Sequence, residues 1–139
     1  MTILFDNDAE GDMNWCKCQG FNVPGNMRII KLPDLDAFTH VKTAGPNGSH
    51  PADINGGGAA IECYLDLGPE PVVRWSSFNE ALSRYQGALI NKDKYKHAFL
   101  AQDLKQPGYD YSKLQAILDL VVLHCVGMRE GGHGRSSGI

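Results

Sequence analysis

The run "AGPNGSHPADINGGG", residues 44–58, sets the strongest limit on how this chain can fold. It is rich in Gly, Pro, Asn and Asp, the residues that punctuate regular structure. It is too long for a tight turn, and loops of that length are often functional or mobile. The apolar pattern before it is strand-like and the pattern after it is helical. Strands first and helices later predict an α/β domain, a small sheet of two or three strands covered by helices.

Residues 2–5, "TILF", read as a short buried strand. Residues 27–32, "MRIIKL", read as a second, closed by Pro33. In residues 37–43, Phe38, His40 and Lys42 alternate with Thr39, Val41 and Thr43, the pattern of a third strand. From Gly58 the period changes: Ala60, Ile61, Tyr64 and Leu65 fall at helical spacing, and "LGPEP" ends that helix. Residues 76–104 carry Phe78, Leu82, Tyr85 and Leu89, then Tyr95, Ala98 and Phe99, which predicts helix broken near Asn91 to Asp93. Residues 108–126 place Leu114, Ile117, Leu118, Val121, Val122 and Cys125 on one stripe, with Asp110 or Ser112 as the N-terminal cap. The Gly/Ser-rich residues 128–139 read as a disordered tail, leaving 1–127 as one domain. A length of 139 residues with 42% hydrophobic content suits that single domain.

The first strand runs straight into acids: "TILFDNDAEGD" carries Asp6, Asp8, Glu10 and Asp12. Side chains alternate across a strand, so Asp6 and Asp8 share one side if the strand continues through them. Two carboxylates that close raise each other's pKa unless a cation lies between them. Oxygen-only ligands suit a hard cation such as Mg²⁺. Gly11 is read as allowing a sharp turn after the acids. An acidic surface loop without a role and a receiver- or phosphatase-type acid pocket are the competing readings. An EF-hand fails because its twelfth position, counted from Asp6, is Lys17 where a Glu is required.

A second polar cluster, "DINGGGAAIECYLDL", adds Asp53 and Asn55 in the Gly-rich loop and Glu62 in the helix that follows. An isolated helix Glu is more often solvated than functional. The three glycines allow backbone to approach a metal site or a phosphodiester closely. No Gly-Lys-Ser/Thr follows, so this is not a Walker A loop.

With both clusters in view, "ILFDNDAEG" resembles the D-x-D motif of Toprim domains, the metal-binding modules of topoisomerases, primases and related nucleases. "DINGGGAAIECYLDL" resembles the helix that follows in Toprim proteins of the overcoming-lysogenization-defect type, where an Ile-Glu-x-Tyr-Leu-like segment offers a further acid. The run from "KLPDLDAF" through "GPNGSHPADING" to "YQGALINKDKY" resembles the C-terminal part of large bacterial Toprim proteins, some joined to HEPN domains. The likeness covers residues 2–126. The chain departs from the family in one respect: a Toprim domain opens with a strand ending in Glu, and only residues 1–4 precede the strand end here. The expectation is therefore an incomplete, mainly parallel Toprim-like sheet, the second half of a unit whose other half is separate.

The resemblance implies that Asp6 and Asp8 bind one or two Mg²⁺ or Mn²⁺ ions. Glu10 and Glu62 are further metal candidates, and Asp53 a weaker one. Lys92 is the candidate for stabilising developing charge, chosen from Lys42, Lys92 and Lys94. His40, His50 and His97 show no partner pattern that suggests a base. Trp15 and Trp75 could stack on nucleic-acid bases, but packing is their ordinary use. Three functions follow: a metal-dependent nuclease part acting on DNA more than RNA, a non-catalytic interaction module, or a phosphatase-like protein with Asp6 as nucleophile. Partners would be nucleic acid, the missing N-terminal half or another protein, with a homo-oligomer as a further option. The family's general acid/base is the absent Glu, so little activity is expected from this chain alone.

The bulk properties narrow these options. A net charge of −3 gives no global pull toward nucleic acid or anionic lipid, so phosphate binding must be local. No apolar run approaches the length that spans a bilayer and no apolar leader opens the chain, which predicts a cytoplasmic protein without membrane contact. Cys16, Cys18, Cys63 and Cys125 then read as reduced thiols. The Cys16-x-Cys18 spacing is wrong for a zinc knuckle.

Overall fold

The computed structural model describes residues 1–66, 70–102 and 108–137, with side chains described as far as residue 126. Within them the chain is mixed α/β. In order come β1 (Thr2–Phe5), β2 (Asn7–Asp8), α1 (Ala9–Cys18), β3 (Arg28–Lys31), β4 (Val41–Ala44), β5 (Ser49–Ala52) and β6 (Gly58–Ala59). β7 (Val72–Asn79), β8 (Arg84–Leu89), α2 (Lys92–Ala101) and α3 (Ser112–Ser137) follow. Short 3-10 helices occupy Asp36–Phe38 and Ile61–Leu65.

β1 and β3 pair in parallel, Thr2 opposite Arg28 and Phe5 opposite Lys31. Parallel neighbours cannot be joined by a hairpin, and α1 supplies the crossover between them. That helix was not anticipated, because its apolar positions make no clear stripe. Its start is nevertheless encoded: Asp8 caps it, accepting a hydrogen bond from the Gly11 amide at 2.7 Å. Glu10 and Asp12 lie in its first turn, where negative charge opposes the helix dipole.

A second sheet has the order β5-β4-β7-β8. Its outer pairings are antiparallel and its central pairing, β4 with β7, is parallel. β2 and β6 form a third, two-residue ladder, antiparallel, with Asn7 opposite Ala59. The expected sheet of two or three mainly parallel strands is therefore corrected to three small sheets of mixed direction. Two parallel pairs remain within them.

Three local readings change with it. The stretch from Phe78 to Leu89 is a hairpin, not a helix. Leu82 falls in the connection between β7 and β8, where Ser83 takes the left-handed conformation at φ 52°. The apparent helical spacing of Phe78, Leu82, Tyr85 and Leu89 combined residues of two strands and their turn. Residues 44–58 are not one open loop, since they include β5 and reach into β6. The helix expected from Ala60 is the single 3-10 segment, stopped by Asp66 at φ 54°. The strand expected over residues 37–43 is β4 only from Val41, because Asp36–Phe38 form a 3-10 helix; β1 has the expected bounds, β3 lies inside residues 27–32, and α2 starts at the expected break beside Asn91. Asp110 accepts a hydrogen bond from the Ser112 amide at the start of α3, which lowers its pKa through that bond. The helical backbone of α3 continues to Ser137, through most of the stretch read as a tail.

One apolar core ties the sheets together. Leu32, Phe38, Val41, Ile54, Tyr64, Val73, Leu89, Tyr95 and Ile117 are all buried in it. Tyr64 is fully buried, with its ring edge-on to Phe38 at a centroid distance of 4.8 Å. Trp75 packs against this core, and Trp15 lies beneath the Lys31 ammonium, its ring centroid 5.6 Å away.

Gly11 is required for close approach rather than for a turn. It lies inside α1, directly against the backbone of Asp6. A methyl there would collide with the Asp6 carbonyl oxygen and stand 2.9 Å from its carbonyl carbon. Gly11→Ala should therefore push α1 off the strand end and cost about 1–3 kcal/mol, the range for overpacking. Gly20→Ala, whose methyl would meet only the Lys17 carbonyl at 3.7 Å, should change stability by no more than about 0.5 kcal/mol. Urea unfolding of both variants checks the difference. Equal effects would show that the Asp6–Gly11 contact is not tight.

Candidate functional site

The acidic motif is organised by its middle residue. Asn7 is fully buried. Its amide nitrogen donates to the Asp34 carboxylate at 2.9 Å, and its amide oxygen accepts from the Gly56 amide at 2.9 Å. Longer contacts of 3.4 Å reach Asn55 and the Tyr64 hydroxyl. With Asn7 held inward, strand alternation turns Asp6 and Asp8 the other way, and both are half-buried.

Asp6 accepts a hydrogen bond from the Ile61 amide at 2.9 Å, which draws the 3-10 segment onto the end of β1. That contact brings Glu62 into the same electrostatic neighbourhood. Burial raises the Asp6 pKa above the ordinary carboxylate value. The Ile61 amide and Lys92 oppose the shift, while Asp8 and Glu62 add to it. The carboxylate is therefore held among like charges, the condition that a cation relieves.

Glu62 is not a solvated helix residue. Its side chain is only 7% exposed. Lys96 on α2 stands 3.3 Å from Oε1, and Lys92 one turn earlier stands 4.0 Å from Oε2. Oε2 has no hydrogen-bond partner and is buried. Lys92 and Lys96 share a helix face because they are four residues apart. Lys94 lies between them, exposed and turned to another face. Lys96 was missed from the sequence, since nothing in its local pattern separates it from its neighbours.

The remaining candidates are elsewhere. Glu10 is exposed in the first turn of α1. Asp53 is used within its own loop, accepting from the Asn55 amide and side chain at 2.9 Å each. Asp12 is buried in a clamp, accepting from Lys31 at 2.5 Å and Arg84 at 2.6 Å. The glycines of residues 56–58 face Arg84, Trp75 and Val73, so their small size serves packing against β7 and β8. Lys42 and His40 line a cavity of about 340 Å³ whose walls also include Phe38, Tyr95 and Lys113. Glu62 and Cys63 form part of its wall; Asp6 and Asp8 do not. The buried Cys63 thiol is pushed up to about 12, first by desolvation, so it stays protonated at neutral pH. A protonated thiol is neither a nucleophile nor a metal ligand.

Among the described residues, no group of three His, Cys, Asp or Glu is close enough to hold a metal ion by itself. The donor chemistry still fits a hard divalent cation. Asp6 and Glu62 offer oxygens only, one of them orphaned, and Mg²⁺ keeps several waters rather than demanding an all-protein cage. No helix among the described residues is long and apolar enough to cross a membrane. Comparison with protein families, curated proteins and solved structures gave no match to this chain.

Asn7 should be the residue whose loss is felt most widely. Asn7→Ala removes partners from Asp34 and from the buried Gly56 amide, a cost of about 1–3 kcal/mol for groups left unsatisfied. Hydrogen exchange at Gly56 should accelerate more than exchange in α3. Uniform acceleration across the chain would mean that Asn7 contributes only to global stability.

Proposed function

We propose that this chain is the metal-binding part of a Toprim-type nuclease that acts on nucleic-acid phosphodiesters, DNA more than RNA. Asp6 and Glu62 would hold Mg²⁺ or Mn²⁺, with Asp8 beside them completing the negative field. The observation that carries the reading is the orphaned Oε2 of Glu62. A buried carboxylate oxygen with no hydrogen bond, and only the Lys92 ammonium 4.0 Å away, is under-compensated, and coordination to a cation is the chemistry that would satisfy it. Asp6 supports it from the neighbouring strand end, with its pKa raised by desolvation and by its acidic neighbours.

The bound ion would supply charge neutralisation and polarisation of a phosphoryl oxygen. The protein's own contribution is positional. The Ile61 amide fixes one oxygen of Asp6, and the Asp8 cap on α1 limits the freedom of the second aspartate. Lys92 places a positive charge beside both Asp6 and Glu62, where it can oppose the charge that develops on phosphorus oxygens. Glu10 and Asp53 are left out of this assignment, because one is exposed on α1 and the other is used within its loop.

Titration calorimetry with Mn²⁺ tests the assignment. Wild type should bind, and Asp6→Asn and Glu62→Gln should each weaken binding about tenfold or more, the scale of losing a charged ligand. Asp6→Asn keeps an oxygen for the Ile61 amide, so folding is preserved. Asp8→Ala is a poorer probe, because it also removes the α1 cap, at about 1 kcal/mol. Unchanged Mn²⁺ heats in both variants would remove the basis of the proposal.

A second reading, a Toprim-derived module used for protein interaction without cleavage, is favoured by α3. Leu114, Ile117 and Val121 pack inward, while Leu118, Val122, Leu123 and Val126 are exposed beside them. Exposed apolar stripes of this kind mark contact with another protein or another copy. On this reading, sedimentation should show association that rises with concentration and is lost in a Leu118→Glu, Val122→Glu double variant. A monomer at all concentrations would remove self-association from the account.

A further inference from the structure

Lys96 has a more specific place in this site than a surface lysine. Its ammonium is 3.3 Å from Glu62 Oε1, and its side chain is 54% exposed. Glu62 is buried and cannot follow a partner outward. Lys96 can, since a long, solvated side chain loses little by swinging into water. Lys92 is the more enclosed of the two lysines, and its charge acts on Asp6 as well as on Glu62. The two lysines therefore differ in which is free to leave.

The local charge balance gives the exchange a direction. Asp8, Glu62 and Lys92 act on Asp6, and Lys92 and Lys96 pair with Glu62, so the neighbourhood holds three negative charges against two positive. That balance favours taking up a cation. Once a divalent ion is present, the cluster carries one net positive charge, and an ammonium at Glu62 is repelled by the ion. The same positive balance attracts a phosphodiester, and the displaced ammonium becomes a free donor, beside Lys92, for one of its oxygens.

Building on the proposed metal site, we infer that Lys96 is an internal competitor for the cation, holding Glu62 until a divalent ion displaces it and then turning to a phosphate of the nucleic-acid strand. Metal uptake and strand binding are coupled through one side chain. Lys96 neutralises the buried carboxylate before the ion arrives, and it contributes one backbone contact afterwards.

The test measures two affinities on the full chain. The first is Mn²⁺ by calorimetry. The second is a short single-stranded DNA with phosphorothioate linkages, titrated at saturating Mn²⁺ over a range of salt concentrations. Lys96→Gln should tighten Mn²⁺ by about two- to fivefold, the scale of removing one exposed competing charge. The same variant should weaken DNA binding, with the salt slope reduced by about 0.7, the value for one phosphate contact on a single strand. Lys96→Arg keeps the charge and should restore Mn²⁺ affinity to near the wild-type value. Lys94→Gln makes the same charge change on another face of α2 and should leave both affinities near wild type.

Weaker or unchanged Mn²⁺ binding in Lys96→Gln, with binding still lost in Asp6→Asn and Glu62→Gln, would overturn the exchange and leave the metal site standing. An unchanged DNA salt slope in Lys96→Gln would overturn the phosphate role. Equal tightening by Lys94→Gln would show a general charge effect and overturn the exchange as well. Absence of Mn²⁺ uptake by wild type, Lys96→Gln and the carboxylate variants alike would overturn both the inference and the reading beneath it.

Discussion

The rest of the structure hangs on one buried amide. Asn7 is the point where the strand end, the turn after β3 and the glycine loop meet, because its side chain both donates to Asp34 and accepts from Gly56. No apolar residue could replace it without stranding a backbone N–H and a carboxylate. An Asp there would repel Asp34 and could not donate. The surrounding core supports it: the Tyr64 hydroxyl donates to the Pro33 carbonyl at 2.7 Å, so the same backbone segment is held from a second direction. Burying the amide is also what turns the two half-buried aspartates on either side away from it.

Around that point the chain packs by removing side-chain volume. Gly11 lets α1 rest on the Asp6 backbone. Gly58 and Gly87 meet across Val73, where any β-carbon would overlap the valine methyl. The Gly87 amide donates to the Gly57 carbonyl at 2.9 Å, which stitches the loop to β8. Asp12 closes the arrangement electrostatically, drawing Lys31 from β3 and Arg84 from β8 onto one carboxylate. Arg84 also donates to the Gly56 carbonyl at 2.7 Å, so the clamp reaches the glycine loop. The same acidic run therefore has three structural uses: Asp8 caps a helix, Asp12 binds two sheets together, and Asp6 draws the Ile61–Leu65 segment onto the end of β1.

What is left at Asp6 and Glu62 is a local imbalance. The surroundings take water from both carboxylates, and one oxygen of Glu62 is left without a hydrogen bond. Elsewhere in the chain, buried polar groups such as Thr43, which donates to the His50 carbonyl at 2.7 Å, are satisfied. Among the described residues the unsatisfied oxygen lies at this one spot, which is why the proposed site is placed there. The proposed metal role and the mobile lysine beside it both draw on that imbalance.

Part of this was legible in the residues. "TILF" and "MRIIKL" are strands because continuous apolar runs bounded by polar residues and proline can be little else at that length. α2 follows from its apolar period after the break at Asn91, and the start of α3 from the Asp110 hydrogen bond to the Ser112 amide. The acids at the strand end stood out because two carboxylates so close repel each other unless a cation lies between them, although an acidic surface loop remained a competing reading. Other features were not legible, for physical reasons. The β7–β8 hairpin was hidden because its turn carries Leu82 at a spacing that mimics a helix. The conformation of α1 depends on a glycine whose value lies in a neighbour five residues earlier in the chain. The sequence by itself determined the local chemistry: which segments prefer to be strands, where helices start, and that Asp6, Asp8 and Glu62 are oxygen donors. Only the tertiary structure decided which donors meet. Burial of Asn7 and the Ile61–Asp6 hydrogen bond bring Glu62 to Asp6, and α2 adds Lys92 and Lys96, because convergence depends on long-range packing that no local pattern records.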